Sequence, residues 1–131
     1  MTGLTPRLGL ISLIRGEAPI ASARAAWWAH RALSEVRSKL AAGGFSRVAV
    51  PPPPNLPAEG LRGVDALLRR RRHTCLEGAL IRQRWLSAHG VKREVVIGVC
   101  GAGASFRAHA WVAGEEDSAA NGMRELARIQ S

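Results

Sequence analysis

Tyrosine is absent from the 131 residues, and phenylalanine and cysteine occur only twice each. Two cysteines, Cys75 and Cys100, are too few for a disulfide-stapled secreted scaffold. They are also too few for a zinc site built on three or four thiolates. The four histidines (His30, His73, His89 and His109) contain no pair at His-x3-His spacing, and no CxxC occurs, which largely excludes a structural zinc motif. Long apolar runs are missing too. The stretch Leu8 to Ile14 is bounded by Arg7 and Arg15 and falls far short of the roughly 20 residues of a membrane span. It is also a poor signal peptide, since no small-x-small site follows it closely. These absences point to the cytoplasm, where thiols stay reduced and a Cys75–Cys100 disulfide is disfavoured.

What is present is a globular composition, 47% hydrophobic and 22% charged, of one domain's length. The net charge of +9 is uneven: residues 61–93 hold nine basic and two acidic residues, whereas residues 94–131 hold three basic and five acidic. The densest run, Arg69-Arg70-Arg71-Arg72, stands just before His73-Thr74-Cys75. Such a run reads either as a solvated or phosphate-binding helix face, or as a positive field beside a cysteine. A field of that kind favours thiolate over thiol and attracts acidic peptide.

Hydrophobic spacing predicts a helix over 18–42, with Ala21, Ala25, Trp28, Ala32, Leu33 and Val36 on one stripe. Pro19 suits its first turn and Gly43-Gly44 its end, with a shorter element over Leu4–Ile14 before it. Pro51 to Pro54 and Pro57 form a stiff, extended connector. The chain thus divides into an N-terminal helical part (1–50), a proline-rich connector (51–57) and a C-terminal core (58–131). In that core, 59–70 reads as a helix, and a second runs from Cys75 to Ala88, with Thr74 as N-cap and Glu77 completing a capping box. Its buried stripe is Leu76, Ala79, Leu80 and Leu86. Residues 91–99 and 106–112 read as a hairpin, followed by an acidic loop (Glu115-Glu116-Asp117, Asn121-Gly122). Met123–Ile129 is compatible with helix or strand.

On this reading Cys75 opens a helix, where free N–H groups and the helix dipole favour a thiolate and can hold an oxyanion. A nucleophilic cysteine needs a base. His109 is the best candidate, because its strand should pack against the Cys75 helix and Arg107, His109 and Trp111 share one face. His73 is a rival base, but sequence neighbours rarely have the right geometry. Cys100 ends a buried strand and is the weaker nucleophile. The plain alternative is a small half-buried cysteine and a histidine that only makes hydrogen bonds.

The blocks Cys75-Leu76-Glu77-Gly78-Ala79-Leu80, Trp85-Leu86, His89-Gly90-Val91, Val96-Ile97-Gly98-Val99 and Phe106-Arg107-Ala108-His109-Ala110-Trp111-Val112 resemble the transglutaminase-like cysteine proteases of lasso peptide biosynthesis, of the stand-alone leader peptidase type. The resemblance covers roughly 60–131. It implies an α+β fold: a papain-like or transglutaminase-like core with a Cys-bearing helix packed on a small antiparallel sheet, preceded by an N-terminal helical part. It further implies removal of the leader from a ribosomally made precursor peptide through an acyl-enzyme, with Cys75 as nucleophile and His109 as general base and acid. The implied partners are the precursor peptide, a small leader-binding recognition protein and an ATP-dependent cyclase, with no cofactor and no metal. The family places an Asp about a dozen residues beyond the His. Here Asn121 stands at that spacing and Asp117 is nearer, so the third member is Asp117 or Asn121; an Asn can orient an imidazole through a neutral hydrogen bond.

Two other readings compete. One is a non-catalytic basic module that binds nucleic acid or scaffolds a complex; the shortage of aromatics and of any nucleic-acid-binding motif argues against it. The other is a transglutaminase-like acyl transferase using the same Cys–His pair.

Overall fold

The computed structural model describes the backbone of residues 4–43 and 48–131, and side chains from residue 19 onward. Along them run helix α1 (Leu4–Gly43), helix α2 (Leu61–Arg70), helix α3 (Cys75–Ala88) and strands β1 (Val95–Cys100), β2 (Arg107–Val112) and β3 (Arg124–Ile129). No helix among the described residues is long and apolar enough to cross a membrane.

The expected N-terminal break does not occur: α1 is one continuous helix with Pro19 in its interior. A proline inside a helix costs about 3 kcal/mol for the lost hydrogen bond and steric clash. The alanine-rich sequence that follows, of the best helix-forming residue, favours helix beyond it. Gly43 closes α1, while Gly44 of the expected stop lies outside the described residues. From Ala21 on, the buried residues Ala21, Ala25, Trp28, Ala29, Ala32, Leu33 and Val36 recur every three or four positions and make the stripe a packed helix requires.

That stripe feeds two hydrophobic clusters. In the first, Trp28 and Leu33 meet Val64 and Leu68 of α2 and Ile81 and Trp85 of α3. In the second, Val36 meets Ala79 and Leu80 of α3 and Val95, Ala110 and Val112 of the sheet. Helix α3 therefore lies between the other helices and the sheet. Of the expected stripe, Ala79 and Leu80 are buried and Leu76 and Leu86 partly so, while burial extends beyond it to Glu77, Gly78, Ile81, Gln83 and Trp85. Buried Gln83 satisfies its amide by donating to Arg93 O and Ile129 O, both at 2.9 Å, which ties α3 to the approach to β1 and the end of β3.

The segment from Val48 to Leu56 is strapped down by side chains. Trp28 Nε1 donates to Pro51 O at 3.2 Å, Lys39 Nζ to Ala49 O at 2.7 Å, and Arg84 Nε to Val50 O at 3.3 Å. The His89 ring stands between Trp85 O and Leu56 O, 2.8 Å from each.

The sheet is antiparallel, in the order β2-β1-β3, with Val95 opposite Val112, Ile97 opposite Ala110 and Gly98 opposite His109. Met123–Ile129 resolves in favour of strand, and the 91–99 strand starts only at Val95. The result is the α+β architecture expected from the sequence, with the Cys75 helix packed on a small antiparallel sheet and a long helix before it.

Candidate active site

Cys75 is the first residue of α3 and is exposed. Its position is set by the capping box the sequence predicts. Thr74 Oγ1 accepts from Glu77 N at 3.1 Å, and Glu77 Oε1 accepts from Thr74 N at 2.9 Å. Because the box satisfies those two groups, the N–H groups of Cys75 and Leu76 stand at the helix start without an intrahelical acceptor. Glu77 is buried and also takes Arg37 of α1, Nε to Oε2 at 3.2 Å and Nη2 to Oε1 at 3.2 Å. Burial pushes its pKa up, but the bonds from Arg37 and Thr74 outweigh it and hold the carboxyl below its ordinary value. Arg37 Nη2 also donates to Arg72 O at 2.6 Å, so α1 fixes the turn before Cys75 as well as the cap.

His109 comes from β2, an edge strand with one side unpaired. The Ala110 N–H on that free side donates to Cys75 Sγ at 3.3 Å, which seats the thiol against the strand. The β2 face packed on α3 is that of Ala110 and Val112. By alternation, His109 and Trp111 belong to the opposite face. His109 and Cys75 both line one open cleft of about 450 Å³.

Of the two candidates for a third residue, the structure brings Asp117 to His109: Nε2 donates to Asp117 Oδ2 at 2.9 Å. The other oxygen, Oδ1, accepts from Ala119 N at 3.0 Å, so the carboxylate is held by its own loop. Asn121 is exposed and caps the end of the short turn Ser118–Ala120. Gly114 makes the return after β2 possible. Its φ of +88° is costly for other residues, and a Cβ there would lie 1.8 Å from Arg93 Nη1.

Arg82, Asp65 and Glu115 also line the cleft, a grouping that the sequence pattern does not mark. Arg82 of α3 donates through Nη2 to Glu115 Oε2 at 2.6 Å and through Nε to Oε1 at 3.3 Å, and pairs through Nη1 with Asp65 of α2. Burial opposes its charge, but the bonds to Glu115 and Asp65 prevail and raise its pKa. The sequence offers only a faint signal for it, since Arg82 is one of two arginines, with Arg84, between Ile81 and Trp85.

The arginine run splits by role. Arg69 lines the cleft, whereas Arg71 turns to α1, donating to His30 Nδ1 at 2.8 Å, His30 O at 3.0 Å and Ser34 Oγ at 3.2 Å. His73, the rival base, borders the cleft too, with Nδ1 2.9 Å from Arg71 O. Cys100 lies elsewhere on the sheet, with Arg107 Nη2 3.4 Å from its sulfur.

A cysteine at a helix start, a histidine on the adjoining edge strand and an aspartate behind that histidine is an arrangement suited to thiol acyl chemistry. Comparison with curated proteins and with solved structures returns no match. The family model described as transglutaminase-like superfamily matches residues 20–130, from within α1 to the end of β3, and the chain belongs to that superfamily.

Proposed function

We propose that the protein is a cysteine peptidase that removes the leader from a lasso precursor peptide, with Cys75, His109 and Asp117 as its catalytic residues. The observation that carries the catalytic part is the His109–Asp117 hydrogen bond in the cleft that also holds Cys75. A carboxylate only accepts, so Nε2 carries the proton and Nδ1 of neutral His109 is left as the base. Nδ1 takes the thiol proton as Sγ attacks the scissile carbonyl carbon. The oxyanion falls to the Cys75 N–H at the positive end of α3. Collapse of the tetrahedral intermediate breaks the C–N bond, His109 returns the proton to the leaving amine, and a thioester remains. Water, deprotonated by His109, then releases the leader carboxylate and restores the thiol.

The substrate assignment rests on the motif resemblance between residues 60 and 131. It brings a small leader-binding protein and an ATP-dependent cyclase as partners. The test is mass spectrometry of a precursor peptide incubated with the protein and its leader-binding partner. Cleavage at one bond, lost in Cys75→Ala and His109→Ala variants that still fold, is the expected result. An intact peptide, with both proteins folded and the peptide bound, defeats the reading.

A second reading is favoured by the superfamily match: acyl transfer from the same thioester to an amine. Adding a primary amine to the assay separates the two, since transfer leaves the amine on the leader carbonyl and hydrolysis leaves a free acid.

A further inference from the structure

Away from the cleft, a groove of about 530 Å³ runs between α1 and the proline segment. Its apolar floor includes Trp28, Ala32, Pro51 and Pro52. At its rim Trp27 is 63% exposed, with one face stacked on His30 at 5.6 Å. Arg24 and Arg31, both exposed, flank Trp27. Positions 24, 27 and 31 share one face of a helix, so two cations about 10 Å apart bracket one indole. Among the described residues no carboxylate pairs with either arginine. Glu35, the groove's acidic residue, is engaged by Lys39 at 3.2 Å.

We infer that this groove docks an acidic amphipathic helix of a partner protein: one bulky apolar side chain inserted beside Trp27, with carboxylates about two helical turns apart on Arg24 and Arg31. Exposed Trp and Arg are the residue types that anchor interfaces. The volume suits one or two side chains and not a nucleic-acid duplex. Prolines have no N–H to offer an incoming strand, which excludes strand addition on that wall and leaves side-chain recognition of a helix in a groove. The positive rim, on a chain of net charge +9, selects an anionic ligand. The groove contains none of Cys75, His109 and Asp117, so the inference stands independently of the proposed chemistry.

The experiment is selection of a random dodecapeptide display library on the full chain, followed by fluorescence polarisation with labelled winners and with a labelled random single-stranded oligonucleotide. Enriched peptides should carry a bulky apolar residue bracketed by Asp or Glu. Trp27→Ala and the double variant Arg24→Glu/Arg31→Glu should each weaken binding by at least about tenfold, with unchanged thermal unfolding, and Cys75→Ala should bind like the parent. The inference is overturned if no enriched peptide depends on these three residues, or if the winners lack acidic residues. It also fails if Cys75→Ala loses binding, which would place the peptides in the cleft. Oligonucleotide binding that the arginine reversal abolishes, without peptide binding, would assign the groove to nucleic acid.

Discussion

Asp117 holds His109 from a loop eight residues further on, Oδ2 to Nε2 at 2.9 Å, while its second oxygen is committed to Ala119 N. An amide at position 117 offers its NH2 to the ring and favours the opposite tautomer, placing the proton on the nitrogen that must act as base. Asp117→Asn should lower the rate of precursor cleavage by about 10² to 10⁴-fold with little change in urea unfolding. Asn121→Ala should leave the rate within about twofold of the parent. A rate loss at Asn121 and none at Asp117 would invert the assignment.

Arg82 joins three elements, Asp65 on α2, its own α3 and Glu115 on the loop that carries Asp117. Its side chain is 24% exposed, and those of Asp65 and Glu115 about a third exposed. Arg82→Gln leaves two carboxylates without their shared cation. It should cost about 1–3 kcal/mol in urea unfolding. Because the loop loses its tie two residues from Asp117, kcat should fall more than KM rises. Arg82→Lys keeps the charge without the two-pronged grip on Glu115 and should recover stability better than kcat. A fall confined to stability would make Arg82 a structural residue only.

Glu77 makes the Cys75 turn sensitive to acid. Its carboxyl is held below the ordinary carboxylate value in the folded protein. Its ionised form therefore stabilises the fold at pH above the unfolded value of about 4.3, and that contribution is lost as pH falls through the folded value. Glu77→Gln can keep the capping box but loses the charge-assisted pair with Arg37; it should cost about 1 kcal/mol near neutral pH, and the deficit should shrink as the pH drops below the carboxylate range. Chemical unfolding at a series of pH values checks this; a deficit that stays constant from neutral to acid contradicts the ionised role.

The parts of the site legible in the sequence are those set by short-range chemistry. Thr74 and Glu77 announce the start of α3, because an N-cap and its box are satisfied within four residues. The alternation from Phe106 to Val112 marks a strand for the same reason. The choice between Asp117 and Asn121 was not legible, because it depends on how sharply the chain turns after β2. Gly114 at φ +88° and the Arg82–Glu115 pair decide that turn, and Arg82 is 33 residues from Glu115. The continuity of α1 through Pro19 is not legible either, because a proline that suits a first turn can equally be one lost hydrogen bond within a long helix.

Gly98 lies opposite His109 in the β1–β2 ladder, and its missing side chain makes room for Trp111. A Cβ at position 98 would stand 2.8 Å from Trp111 Cη2 and 3.1 Å from Met123 Cβ, closer than van der Waals contact allows. The indole in turn stacks on His109, with centroids 5.8 Å apart and planes at 19°. Gly98→Ala should therefore act in two places. It should cost about 1–3 kcal/mol of stability through overcrowding, and it should slow alkylation of Cys75 by moving the ring that supports His109. A double-mutant cycle isolates the second effect. Trp111→Leu frees the space, so adding Gly98→Ala to it should cause little further slowing. If the two substitutions instead slow alkylation additively, Gly98 does not act on His109 through Trp111.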